Sequence, residues 1–127
     1  MTTSDDALTV SFPARSGYLR ISRLNATTYG AKLGFDVDAL DDLRLAVDEA
    51  VTWLLDDEDA GGTVTLRLTE SEGGIRLIGE RNGAVLPERS VDDLVHAILG
   101  ATLDSYELVG TEGGGRRVEL VKGRLEP

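Results

Sequence analysis

The sequence predicts a two-layer α/β (α+β) sandwich, a mostly antiparallel sheet with helices on one face. Three observations lead there. Apolar residues recur at helical spacing from about residue 16 to residue 55. After Gly61-Gly62 the period changes to two. Two glycine-rich turns, at residues 71–74 and 111–115, each separate a pair of alternating segments, as a hairpin does. The order is β-α-α-β-β-α-β-β, in one domain over 1–127.

The first strand is Leu8 to Phe12, whose alternation Pro13 ends. Ser16 is placed to cap a helix running to Leu33, with Ile21, Leu24 and Thr28 on one face and Gly34 as its stop. Asp36 or Asp38 opens a stronger helix. Its apolar positions are Val37, Leu40, Leu43, Val47, Ala50, Val51, Leu54 and Leu55, and Asp41 and Asp42 suit its first turn. From Thr63 to Thr69, Val64, Leu66 and Leu68 face one way. Ser71-Glu72-Gly73-Gly74 turns the chain and Ile75 to Glu80 returns it. Asn82-Gly83 and Pro87 mark a loop. Ser90 then precedes Val91, Leu94, Val95, Ile98 and Leu99, a short amphipathic helix with Asp93 three residues after the cap. Ser105 to Val109 and Arg116 to Val121 form the second hairpin. The sheet face away from the helices must be exposed or covered, which leaves room for a dimer.

Composition narrows the chemistry. The 127 residues carry a formal net charge of −10, with 41% hydrophobic and 28% charged residues, as in an ordinary globular protein. Such an acidic surface repels nucleic acid and anionic lipid and suits a basic protein partner. Without cysteine there is neither a disulfide nor a thiolate metal site, and with His96 alone there is no histidine-rich one. Met1 to Asp6 lacks the basic and apolar regions of a signal peptide, and no apolar run approaches the ~18 residues of a membrane span, so the cytoplasm is the expected compartment. Ser71, Ser105 and His96 fall at no triad spacing. The run Asp56-Asp57-Glu58-Asp59 lacks the spaced oxygens of a calcium loop and reads as a solvated helix end.

The stretch Leu43-Arg44-Leu45-Ala46-Val47-Asp48-Glu49-Ala50-Val51-Thr52 resembles the helix bearing the first nucleotide motif of the anti-sigma-factor serine kinases. These have the histidine-kinase-like (GHKL, Bergerat-type) ATPase fold. Phe12-Pro13-Ala14 through Arg23 lies at the family's spacing upstream, and the strand-strand-helix-strand-strand order follows downstream. The resemblance implies a general base at Glu49 and a magnesium-holding Asn at position 53, where this chain has Trp53. An indole has one N–H donor and no acceptor, so it cannot bind the metal. Glu49 and Trp53, four apart, share a helix face.

The other motifs depart in the same direction. Glu80 stands for the adenine-binding Asp and Asn82 for the first following glycine, ahead of Gly83, with a shift of one residue also open. The glycines of the phosphate lid, expected in a loop ahead of the third helix, fall at Asp93 and Val95, where side chains block close backbone approach. The final Gly-Thr reads Gly115-Arg116, so the hydroxyl is gone. Each substitution also has an ordinary reading: a core tryptophan, a surface glutamate, a loose hairpin turn. Together they imply a chain that binds no ATP or magnesium and has no kinase activity, with Trp53 buried in the vestigial pocket. The resemblance further implies a homodimer that binds a sigma factor or its antagonist, with Arg23 as a partner contact. A divergent but active ATP-dependent serine kinase, or a scaffold for some other partner, are the alternatives.

Overall fold

The computed structural model describes residues 7–123, and the Met1–Asp6 segment lies outside them. The elements are β1 (Leu8–Pro13), α1 (Leu19–Lys32), α2 (Val37–Leu54), β2 (Thr63–Ser71), β3 (Gly74–Asn82), α3 (Asp93–Thr102), β4 (Ser105–Gly110) and β5 (Arg116–Lys122). Short 3-10 turns at Ser16–Tyr18 and Glu58–Ala60 precede α1 and β2. The five strands are ordered β1-β2-β3-β5-β4, and every pairing is antiparallel. The expected two-layer architecture and element order hold.

Parity along the strands builds the core. Val64, Leu66 and Leu68 of β2, Ile75 and Leu77 of β3, and Val118 and Leu120 of β5 face the helices. Leu43, Val47, Ala50, Val51 and Leu54 of α2 pack onto them. Gly79 lets the C-terminal half of α2 settle close to the sheet. A Cβ there would lie 2.9 Å from both Leu54 Cδ1 and Leu66 Cδ2. The opposite sheet face is open and charged. Arg76 pairs with Glu119, and Arg117 reaches Glu119 at 3.1 Å, Glu107 at 3.8 Å and Glu80 at 4.0 Å.

Two boundary expectations need correction, and a third, left open between two residues, is decided. Ser16 does not cap α1; the N-cap is Tyr18, and the Ser16 hydroxyl donates to Glu58 at 3.1 Å. Ser90 does not cap α3, which starts later, where Asp92 accepts from the Leu94 N–H at 3.2 Å. Asp36, not Asp38, caps α2 by accepting from the Ala39 N–H at 2.8 Å.

The apolar face assigned to α1 is also reversed. The helix buries Ser22, Ala26, Tyr29 and Gly30. Ile21 and Leu24 are 41% and 64% exposed, and Thr28 is exposed beside them. The cause is close approach to α2: a Cβ on Gly30 would sit 3.0 Å from Leu40 Cδ2 and 3.1 Å from Leu43 Cδ2. At Gly30 that seam has no room for a side chain. Val37, assigned to the core stripe of α2, is likewise exposed.

Candidate functional site

A cleft of about 600 Å³ opens at the C-terminal end of α2. Its walls are Trp53, the 86–89 segment, and the ends of the β4–β5 hairpin at 109–111 and 114–116. Of the positions picked from the sequence it brings together Trp53 and Gly115. Arg116, pointing inward from the start of β5, lines it, and Arg81, at the end of β3, lies fully buried beside Arg116 and outside the lining.

Arg81 is fully buried. Its Nε donates to the Gly61 carbonyl at 3.0 Å, Nη1 to Leu54 O at 2.9 Å and to Asp56 O, and Nη2 to Asp57 O at 2.8 Å and Gly61 O at 2.7 Å. All five guanidinium N–H groups are thus spent on backbone carbonyls. Those of Leu54 and Asp56 lie at or just past the end of α2, where a helix leaves its last acceptors unpaired and presents its negative pole. Burial lowers the pKa of Arg81 from the ordinary arginine value, the charge of Arg116 adds to this, and Asp57 and Asp56 oppose it.

Arg116 stands directly opposite Arg81 in the β3–β5 register. Its Nη1 donates to Trp53 O at 2.8 Å and approaches Asp56 Oδ2 at 3.3 Å, and its Nη2 donates to Pro87 O at 2.9 Å. Its guanidinium carbon lies 4.7 Å from the centre of the Trp53 ring, a cation–π contact. Arg89 donates to the same Asp56 carboxylate at 2.9 Å. Asp56 is therefore a paired anion, not part of a purely solvated helix end as the acidic run suggested.

The remaining candidates are dispersed. Trp53 is only half-buried and lines the cleft without filling it, contrary to the expectation of a buried plug. Its Nε1 is buried with no hydrogen-bond partner among the described residues. Glu49 is half-buried on α2 and is not among the cleft-lining residues. Glu80 is exposed on the opposite sheet face, near Arg117. A slip of one residue reverses a strand side chain, and the parity of Ile75, Leu77 and Gly79 puts Arg81 inside. That alternation was the signal for Arg81 in the sequence.

Asn82 and Gly83 are exposed at the end of β3, and Gly83 takes a positive φ of 80°. Asp93 and Val95 lie in the first turn of α3, not in a loop ahead of it. Gly115 meets the chain itself: a Cβ there would lie 2.3 Å from Arg81 O. Arg23 is half-buried on α1, and its Nε donates to Asp48 at 2.7 Å. His96 contacts the Tyr106 hydroxyl at 2.9 Å.

No protein-family model matches the chain. The serine-protein kinase RsbW of Bacillus subtilis is 27% identical over 119 residues, covering 81% of this chain and 74% of that protein. RsbW of Listeria monocytogenes strain EGD-e is 36% identical over 52 residues, 41% of this chain. That match spans 33%, about a third, of the length of the Listeria protein. Among solved structures, the RsbU and RsbW domains of Rv1364c from Mycobacterium tuberculosis superpose with a TM-score of 0.73 at 16% identity, over 95% of this chain and 33% of that one. Among the described residues no helix is long and apolar enough to cross a membrane.

Proposed function

We propose that this chain, a member of the anti-sigma-factor serine-kinase-like family with the histidine-kinase-like ATPase fold, regulates bacterial transcription by binding a protein partner without ATP, magnesium or kinase chemistry. The partner is a sigma factor or an antagonist of the anti-sigma protein, met in the cytoplasm by a homodimer. One observation carries the proposal. The resemblance places the adenine-binding carboxylate at Glu80 or, with a shift of one residue, at position 81; Glu80 faces away from the helices, and the inward position holds Arg81 with every N–H already bonded to the chain. An adenine amino group needs an acceptor there. Trp53, at the metal-binding position, offers none either.

Helix α1 supports a protein partner. Its sequence LRISRLNATTYGAK contains Arg20, Arg23 and Lys32 and no acidic residue, in a chain of net charge −10. Its outward face sets Ile21 and Leu24 beside Arg20, an apolar and basic strip that, unlike the acidic surface as a whole, suits an acidic amphipathic segment of the partner. Arg23, the partner contact that the resemblance implies, borders this strip with its Nε held by Asp48 and its Nη groups without a hydrogen bond among the described residues.

A second reading has one observation in its favour. A cleft of about 600 Å³ is within the size range of small-molecule sites. Calorimetry with Mg-ATP at millimolar nucleotide decides between the two. The expected result is no saturable heat. A dissociation constant below ~100 μM, about −5.5 kcal/mol, refutes the nucleotide-free reading.

A further inference from the structure

We infer that Arg116 acts as a built-in ligand of the cleft, an internal cation that holds its walls in one conformation with nothing bound, while Arg81, buried beside it, braces the α2–β2 connection behind the cleft. The inference deepens the nucleotide-independent reading and rests on it.

Two arginines face each other across β3 and β5, on the inward side of the sheet, where like charges repel and burial strips their water. The fold offsets that cost with acceptors drawn from segments far apart in sequence. Arg81 gathers carbonyls from Leu54, Asp56, Asp57 and Gly61, and so fixes the whole connection between α2 and β2. Asp57 takes a left-handed φ of 59° within that connection, a conformation that needs support in a residue other than glycine. Arg116 joins the end of α2, through Trp53 O, to the 86–89 wall, through Pro87 O. The Leu86 N–H then donates to Gly114 O at 2.8 Å, and the Thr111 N–H to Gly115 O at 2.9 Å, which ties that wall to the hairpin. Every wall of the cleft thus reaches the Arg116 guanidinium directly or in one step, and Arg81 fixes the segment behind it. A conformation that a bound cation could otherwise impose is thus supplied by the chain itself.

Hydrogen exchange on the full chain tests this, using Arg81→Met, Arg116→Met and, as a control, Arg67→Met, which alters an exposed arginine on the open sheet face. Ala60 and Gly61, whose N–H groups donate to Asp57 O and Glu58 O, report on the α2–β2 connection. Leu86 and Thr111 report on the cleft walls. The expected result is exchange at least ~10-fold faster at Ala60 and Gly61 in Arg81→Met, and at Leu86 and Thr111 in Arg116→Met, with Leu66 and Leu77 of the core strands unchanged. In Arg81→Ala, methylguanidinium at millimolar concentration, far below denaturing levels, should restore slow exchange. A residue that merely fills volume would show no such rescue.

Loop exchange within ~2-fold of wild type in both Met variants overturns the inference. If Arg81→Met does not fold, Arg116→Met and its own pair of amides decide. Slower exchange of the wild-type cleft amides on adding Mg-ATP instead refutes the nucleotide-free function, so the two failures are read separately.

Discussion

Trp53 offers the sharpest test of how the cleft wall is built, because three of its contacts can be changed separately. One side of the indole packs against the core cluster, and the other carries the Arg116 guanidinium at 4.7 Å. Its Nε1 is buried without a partner among the described residues. Truncating a fully buried aromatic costs about 3–5 kcal/mol, and half-burial puts Trp53→Ala near the lower end, about 3 kcal/mol. Loss of the cation–π contact adds about 1 kcal/mol. Two terms oppose these: removing an unsatisfied N–H returns about 1 kcal/mol, and alanine's helix propensity returns roughly 0.5 kcal/mol. The net expectation for Trp53→Ala is a loss of about 2–3 kcal/mol, less than for a core plug. Trp53→Phe keeps a ring under Arg116 and removes the unpartnered N–H, so it should cost within about 1 kcal/mol of wild type. Urea unfolding followed by circular dichroism measures both, since neither variant retains a tryptophan to report. With a urea slope of about 1–3 kcal/mol/M, the alanine midpoint should fall by roughly 1–2 M. If the alanine variant stays within ~0.5 kcal/mol of wild type, the ring is idle. If phenylalanine costs as much as alanine, the N–H is satisfied and the account of the wall is wrong.

Other expectations follow from single contacts. Gly79→Ala should destabilise by about 1–3 kcal/mol through overpacking against Leu54 and Leu66, seen as a lower urea midpoint; a neutral result would mean that α2 has room to lift. For Glu119, burial acts to raise the pKa, but the hydrogen bonds and charges of Arg76 and then Arg117 outweigh it and lower the value. A depressed carboxylate stabilises the fold above its unfolded pKa. The deficit of Glu119→Gln, about 1 kcal/mol at neutral pH, should therefore shrink as the pH falls through the lowered value, and a deficit independent of pH would contradict the pairing. Leu24→Asp on the outward strip of α1 should leave thermal stability within ~0.5 kcal/mol of wild type while weakening capture of the protein partner; a large loss of stability would place Leu24 in a core. Sedimentation at tens of micromolar should show a dimer, and monomer alone would count against the proposed assembly.

The sequence by itself determined the strands, the second helix and the order of elements. Alternation at Val64-Leu66-Leu68 and helical spacing through Leu43-Val47-Ala50-Val51-Leu54 are local signals, strong because one face of each element is apolar throughout. It also supplied the identities Trp53 and Gly115-Arg116, on which the expectation of lost nucleotide motifs rests. Tertiary structure decided what periodicity cannot carry. The inward face of α1 depends on how near α2 comes at Gly30, a distance that overrides the preference for burying Ile21 and Leu24. The exchange of Glu80 for Arg81 turns on strand parity, fixed by pairing with β2 and β5 and invisible to motif counting at a strand end. The joint role of Arg81 and Arg116 is the least local feature of all. Their acceptors lie between 20 and 63 residues away along the chain, so no sequence window contains both the cations and the carbonyls that make them tolerable; only folding brings the two together.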